Sequence, residues 1–313
     1  MSKSKRSLLE CADYTEDNVA VVIERFLTIL AFPIERFSIE VISRSRERYL
    51  GADARLNGAI RGFRPFYMQF KRPSAYPAYS SSRIITARDK LGVGSQPHAL
   101  FFRLRDKKPS HNDLQHNILY RLRQRLLARQ LGEATYVCPL FLDHAAYRSA
   151  VHHAGFFHWF AFWRRDPWFY RDVMLNHDGS PVSFDRIPIL AEHVTIPPHA
   201  MVTTSSHHYS FNEHGRDLCF HEPAALGEDA STTLAKFLAR EVERFRGEGG
   251  KVSIDESDGL LKELVAEVYG ERARLDDLGD TPIGRWYGFG ARLRRDFNIV
   301  QYAFVRWDKS YYL

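Results

Sequence analysis

The chain has 313 residues, of which 44% are hydrophobic, 26% charged and 13% aromatic, and it carries a formal net charge of +6. That is the balance of a folded soluble protein with a sizeable core, divided into two domains or built as one domain with a large elaboration, and its basicity permits a polyanionic partner without demanding one. Its three widely spaced cysteines, Cys11, Cys138 and Cys219, exclude a disulfide framework and predict a reducing, cytoplasmic setting; no apolar run is long enough to cross a membrane, the longest being AGFFHWFAFW.

Residues 15–31 open on Thr15 as an N-cap with acids in the first turn, and Val19, Val22, Ile23, Phe26, Ile29 and Leu30 recur at helical spacing. Glu24 on that helix reads as a surface charge. The stretch FSIEVI (37–42) alternates as a strand. GADARLNG (51–58) predicts a second strand, with Ala52, Ala54 and Leu56 on one face and Asp53 on the other. FRPFYMQFK (63–71) predicts a third, where Phe66, Met68 and Phe70 oppose Tyr67, Gln69 and Lys71. The Pro- and Tyr-rich segment RPSAYPAYSSSR (72–83) reads as a loop, and HALFFRLR (98–105) as a strand-like support.

A long helix is predicted within 109–133, started by Ser110 and Asp113 and closed by Gly132. Its buried stripe is Leu114, Ile118, Leu122 and Leu126, and Arg121, Arg125 and Arg129 form a second stripe for solvent or ligand. ATYVCPLF (134–141) follows as a buried strand. The texture then changes: residues 145–170 crowd aromatics without a clean period, and 181–211 is a series of Pro-broken β-like pieces. Helices are expected at about 230–246 and 257–270 and a strand at 297–308. The composition shift divides the chain into 1–145 and 146–313, and the aromatic second half offers a seam between domains, a surface for a protein partner, or a homo-oligomer contact.

The chemistry concentrates in the second and third strands. If they pair as antiparallel neighbours, Asp53, Gln69 and Lys71 converge. Oxygen ligands plus an ammonium suit divalent-metal hydrolysis of a phosphodiester, and either Glu40 or Glu47 supplies a further acid. No GxxxxGK[ST] or GxGxxG loop and no nucleophile-elbow motif competes with this. The histidines and Cys219 between 207 and 221 lack the paired spacing of a zinc site.

With those residues in place, the segment resembles the PD-(D/E)XK nuclease superfamily, and among its members the Mrr-like branch with a QxK ending. Asp53 matches the metal-binding Asp, Gln69 the position usually held by Glu or Asp, and Lys71 the catalytic lysine. The order helix, three strands, helix, strand over 15–141 is similar to the family's αβββαβ core, so the fold expected is mixed α/β: a restriction-endonuclease-like core followed by a second α+β part. The resemblance implies a Mg2+- or Mn2+-dependent endonuclease, acting on DNA before RNA and serving restriction or antiviral defence. It implies metal ligation by Asp53, Gln69 and Glu47, with Gln115 and His116 as support. Arg72, Arg83, Arg121, Arg125 and Tyr76 are the expected nucleic-acid contacts. No Pro precedes Asp53, and Gln69 removes one charge from the family pattern, so a binding or assembly protein with an inactive site stands as the alternative.

Overall fold

The structure, a computed structural model, describes residues 8–29, 31–32, 37–42, 60–109, 111, 113–163, 188–221, 224–227 and 230–308. In chain order these form β1 (Glu10–Cys11), α1 (Glu16–Ile29), β2 (Ala31–Phe32), β3 (Phe37–Val41), β4 (Ile60–Phe70), β5 (Ser74–Pro77), α2 (Arg83–Lys90), β6 (His98–Arg103), α3 (Gln115–Arg129), β7 (Glu133–Pro139) and α4 (His144–Trp163). There follow α5 (Pro188–Ala191), β8 (His193–Ile196), β9 (His208–Phe211), β10 (Cys219–Phe220), β11 (Ala224–Ala225), β12 (Thr232–Thr233), α6 (Leu234–Arg246), α7 (Asp258–Tyr269), α8 (Pro282–Phe297) and β13 (Val300–Trp307). The described residues are therefore mixed α/β, with two sheets.

Local chemistry accounts for most helix ends. Thr15, Ser82, Thr233 and Thr281 each cap a helix through the side-chain oxygen, and Pro282 takes the first turn of α8, where a missing N–H costs nothing. Helix α3 ends on Gln130 and α8 on Asn298, both in the left-handed region with φ of 55° and 52°. Asp113 serves the start of α3: its Oδ1 accepts from Leu114 N at 2.7 Å. Ser110 lies outside the described residues.

The larger sheet runs β12-β8-β7-β4-β13-β3-β2. Strand β4 is its spine, antiparallel to β13 along Ile60–Met68 and parallel to β7 along Phe66–Phe70. Both faces of β4 are covered. Phe66, Met68 and Phe70 pack with buried residues of α1, α4, α5 and α6 on one face, while Ile60, Phe63 and Tyr67 pack with α3, α7, α8 and the second sheet on the other. Each such side chain contributes roughly 1.5–3 kcal/mol of burial, which explains an almost uninterrupted apolar run in one strand. The second sheet, β1-β5-β6-β9-β10-β11, is antiparallel throughout.

Three expectations change here. The strand beside β4 is β13, contributed from the far end of the sequence, and between Phe66 and Met68 β4 has β7 on its other edge, so no edge remains there for a hairpin partner. The predicted strand 51–58 lies outside the described residues. The segment 72–83 contains β5, is followed by α2, and leads with β6 into the second sheet rather than into the core order helix, three strands, helix, strand. Finally, both sheets draw strands from either side of residue 145, so the composition boundary is not a structural seam. Helix α4 accounts for the first part of the aromatic stretch, and 164–170 lies outside the described residues.

Helix α8, absent from the sequence-based expectation, clamps the far face of the larger sheet. A Cβ on Gly290 would sit 1.9 Å from Ile42 O, so only glycine permits this approach. Gln301 on β13 then donates through Nε2 to Ile42 O (3.2 Å) and Trp286 O (2.9 Å). On the other face, Arg64 of β4 and Glu241 of α6 form a buried ion pair at 2.8 Å. Arg64 Nη1 also donates to Gln130 O and Gly250 O at 2.7 and 2.8 Å, and so satisfies carbonyls just beyond the ends of α3 and α6.

Candidate functional site

Gln69 and Lys71 leave the carboxyl end of β4 on the face that carries Tyr67, and both are buried, at 0% and 2% exposure. Gln69 donates through Nε2 to Phe297 O at 3.3 Å, while its Oε1 is buried without a hydrogen-bond partner. The Lys71 ammonium lies 5.6 Å from the centre of the Tyr136 ring. No hydrogen bond or ion pair reaches its Nζ among the described residues. Burial lowers the Lys71 amine from 10.5 to about 8; the nearby Glu16 carboxylate opposes the shift and Arg105 adds to it.

Behind the lysine stands a fixed polar chain. Tyr136 Oη and His116 Nδ1 are 2.8 Å apart, and His116 Nε2 is 2.7 Å from Ala200 O. A carbonyl only accepts, so Nε2 carries the proton and Nδ1 accepts from Tyr136. Burial holds His116 at about 4, which keeps the ring neutral and this chain intact at neutral pH. Gln115, in the first turn of α3, is also buried and its Oε1 has no partner. His116 thus lies beside the ring under the lysine.

The remaining expected residues divide. Asp53 and Glu47 lie outside the described residues. Glu40 is not brought to the site. It sits on β3 opposite Ala303, which faces Pro65 on β4, two strands across and four residues before Gln69. Strand spacing and rise place these Cα atoms about 16 Å apart. Its carboxylate accepts from Ser38 Oγ at 2.5 Å instead. Glu24, expected on the surface, is buried and paired with Arg294 at 2.7 Å, because α8 reaches around to α1.

The arginine stripe of α3 runs beside an acidic helix. Arg121 and Arg125 approach Glu267 at 3.5 and 2.9 Å, and Arg129 pairs with Glu263, so the two helices zip together through their charges. Arg121 also holds Asp113 at 2.5 Å. These arginines are engaged in ion pairs within the chain, with Arg125 and Arg129 still exposed. Arg72 is exposed and its Nη1 reaches Tyr14 O at 3.5 Å; Arg83 is exposed at the start of α2. Tyr76 is half-buried and stacks on Phe101 with ring centres 5.4 Å apart, so its face is occupied.

Sequence reasoning missed Glu16, Arg105 and Tyr136. Glu16 reads as a helix-dipole acid, Arg105 as the end of a supporting strand, and Tyr136 as one apolar residue among many. Only the docking of the α1 start against the ends of β4 and β7 gathers them: Ala12 N donates to Pro73 O at 3.1 Å and Asp13 N to Leu142 O at 3.2 Å.

A divalent cation of the Mg2+ class takes about six oxygen ligands. Among the described residues no three His, Cys, Asp or Glu side chains come together to hold one, and Gln69 Oε1 is a single neutral donor. The fit therefore depends on the two carboxylates of the 43–59 segment. All three cysteines are free, and among the described residues no helix is long and apolar enough to cross a membrane. No protein-family model, no curated protein and no solved structure matches the chain.

Proposed function

We propose that the protein is a metal-dependent phosphodiesterase that cleaves nucleic acid, DNA before RNA, on a restriction-endonuclease-like core. The observation that carries this is the pairing of Gln69 and Lys71 on one face at the carboxyl end of β4, one with an unbonded buried oxygen and the other with an unpaired amine held near 8. The parallel β4–β7 pair with α3 between them in sequence supports that core. Asp53, Glu47 and Gln69 Oε1 would hold Mg2+ or Mn2+, which supplies Lewis-acid polarisation of the phosphoryl oxygen and a more acidic water. Lys71 has two uses at such a centre. With a pKa of about 8, roughly a tenth of it is neutral at pH 7 and able to take a proton, and the charged remainder offsets growing charge on the phosphate.

A second reading is favoured by burial. Gln69 and Lys71 are covered, and the Gln69 amide is already bonded to Phe297 O, as in a fold that binds nucleic acid or assembles with a protein without cutting. One experiment separates them. Supercoiled, linear and single-stranded DNA and RNA are incubated with the protein, with and without Mg2+ or Mn2+, beside Lys71→Ala and Asp53→Ala. The enzyme reading expects metal-dependent cutting lost in both variants. Binding without cutting, unchanged in either variant, leaves the second reading.

A further inference from the structure

The approach to α3 and the last turns of α7 and α8 meet around a cleft of about 300 Å³. His111, Asp113, Arg121, Tyr269, Asp296 and Phe297 line it. Its volume lies at the small end of the range for ligand pockets, the size of one flat ring system with its substituents.

The lining combines rings with opposed charges. The His111 and Tyr269 rings stand 4.6 and 6.2 Å from the buried Phe297 ring, centre to centre, and both are only half-buried. Asp113 Oδ1 accepts from Leu114 N and Asn117 Nδ2, both at 2.7 Å, and its Oδ2 accepts from Arg121 Nη1 at 2.5 Å. Asp296 accepts from Tyr269 Oη at 3.2 Å and from Arg295 Nε and Nη2 at 2.8 and 3.2 Å. A carboxylate offers about four lone-pair sites, so each keeps one for a ligand. The Arg121 fork is less used still. Its Nε is buried 3.5 Å from Glu267 Oε1 without a hydrogen bond, and among the described residues no acceptor meets its Nη2.

Charge and shape select the occupant. Two carboxylates against one guanidinium disfavour a phosphate or any other anion in the cleft itself. Aromatic walls favour a flat ring, and the polar groups ask that ring for donors toward a carboxylate and for paired acceptors toward an arginine fork. Guanine offers both: N1–H and the N2 amine donate on one edge, while O6 and N7 accept side by side on another. Adenine sets an amine against one arm of the fork, and pyrimidines have no N7. The cleft also adjoins the candidate site, because the carbonyl that holds Gln69 Nε2 belongs to Phe297 of its wall.

We infer that this cleft is a guanine-binding site, in which the base lies against His111 and Tyr269, sets O6 and N7 on Arg121 and turns its N–H groups to Asp296. The guanine belongs either to an unpaired nucleotide of a nucleic acid or to free guanosine or its monophosphate, since the recognition chemistry is shared. In a strand it gives the proposed nuclease its substrate preference and rests on that reading; as base recognition it needs no cutting.

The test changes single atoms of the base. Short single-stranded oligothymidines carrying one central dG, dA, dC, 7-deaza-dG or deoxyinosine are labelled with fluorescein and titrated in EDTA, and guanosine and GMP are titrated by calorimetry. The dG strand is expected to bind about tenfold more tightly than the dA or dC strand, and loss of N7 or of the N2 amine removes most of that preference. Arg121→Gln is expected to bind dG and 7-deaza-dG alike, and Asp296→Asn to bind dG and deoxyinosine alike. Thermal melts establish folding, and Arg121→Lys, which keeps the charge and loses the fork, replaces an unfolded Arg121→Gln. Guanosine or GMP binding that depends on Arg121 assigns the site to a free nucleotide, whereas a dG preference in strands alone assigns it to nucleic acid. Absence of both overturns the inference, as does a dG preference that the Arg121 and Asp296 variants leave unchanged. Metal-dependent cutting is measured in parallel. Cutting indifferent to the base, with no guanosine or GMP binding, overturns the inference and leaves the enzyme standing. A guanine preference without cutting leaves the site and removes the enzyme.

Discussion

Replacing Lys71 by methionine removes a charge that the fold does not pair, and its consequence for stability can be worked out. The amine is lowered from 10.5 to about 8, with burial the largest cause. At about 1.4 kcal/mol per pKa unit, the folded state bears a cost of roughly 3 kcal/mol for holding the proton at pH 7. The direction follows from proton counting: between pH 8 and 10.5 the unfolded chain binds the proton and the folded chain does not, so wild-type stability from this group rises with pH. Methionine keeps an apolar stem of similar length over Tyr136 and carries no charge. Lys71→Met is therefore expected to be more stable than wild type by about 3 kcal/mol at pH 7 and by only about 1 kcal/mol at pH 10. For a chain of this length that is a rise in Tm of about 4 °C at neutral pH. Urea melts of the two proteins between pH 6 and 10 measure the difference directly. A Lys71→Met protein less stable than wild type at pH 7, or a difference that does not shrink with pH, refutes the claim that the amine is buried unpaired. On the enzyme reading the same variant does not cut, so stability and activity move in opposite directions.

Other outcomes follow from the same geometry. His116 and His193 are held at about 4 by burial, so both must take up a proton on acid unfolding. Their folded pKa is depressed, hence stability is lost as pH falls from 6.5 through 4, by about 3 kcal/mol for each, and a His116→Gln/His193→Gln protein should show a flatter acid profile in urea melts. Arg64→Met leaves Glu241 buried with only Arg244 beside it and opens the carbonyls of Gln130 and Gly250; a loss of about 3–5 kcal/mol is expected, and the Arg64→Met/Glu241→Met double variant should recover part of it. Gln69→Glu sets a carboxylate against the Phe297 carbonyl in place of an amide donor, which lowers Tm in EDTA. If Asp53 and Glu47 approach Gln69, millimolar Mn2+ should restore Tm in this variant more than in wild type; equal responses count against a metal there.

Period-two alternation placed Gln69 and Lys71 on one face of β4, and the leucine stripe of α3 is buried as its spacing implies, because both patterns depend only on neighbours within one element. What lay between elements was not legible. Glu263 and Glu267 fall on a helix that the sequence does reveal, yet nothing in their spacing says they meet Arg125 and Arg129. Helix α8 escaped notice because Gly284, Gly288 and Gly290 break its helical pattern, and two of them are glycine for close packing: a Cβ on Gly288 would lie 2.1 Å from Leu278 O, as one on Gly290 would from Ile42 O at 1.9 Å. The first half of the aromatic stretch is helical without a clean period. The candidate site was legible as a pair of residues on one strand; the Tyr136 ring beside Lys71 and the charges of Glu16 and Arg105 that act on it come from distant parts of the chain.

The insertion of β13 beside β4 also sets a clock. Gln69 and Phe297, joined by a hydrogen bond, are 228 residues apart in sequence. At about 5–20 residues per second, a ribosome takes roughly 10–45 s to supply the second after the first. Through that interval the β4 edge that β13 will take cannot be filled by β13, and the Gln69 amide cannot have its carbonyl. A nascent chain thus carries Gln69 and Lys71 without the strand that finishes their setting. On the proposed enzyme reading, cutting would be withheld until Phe297 has been made.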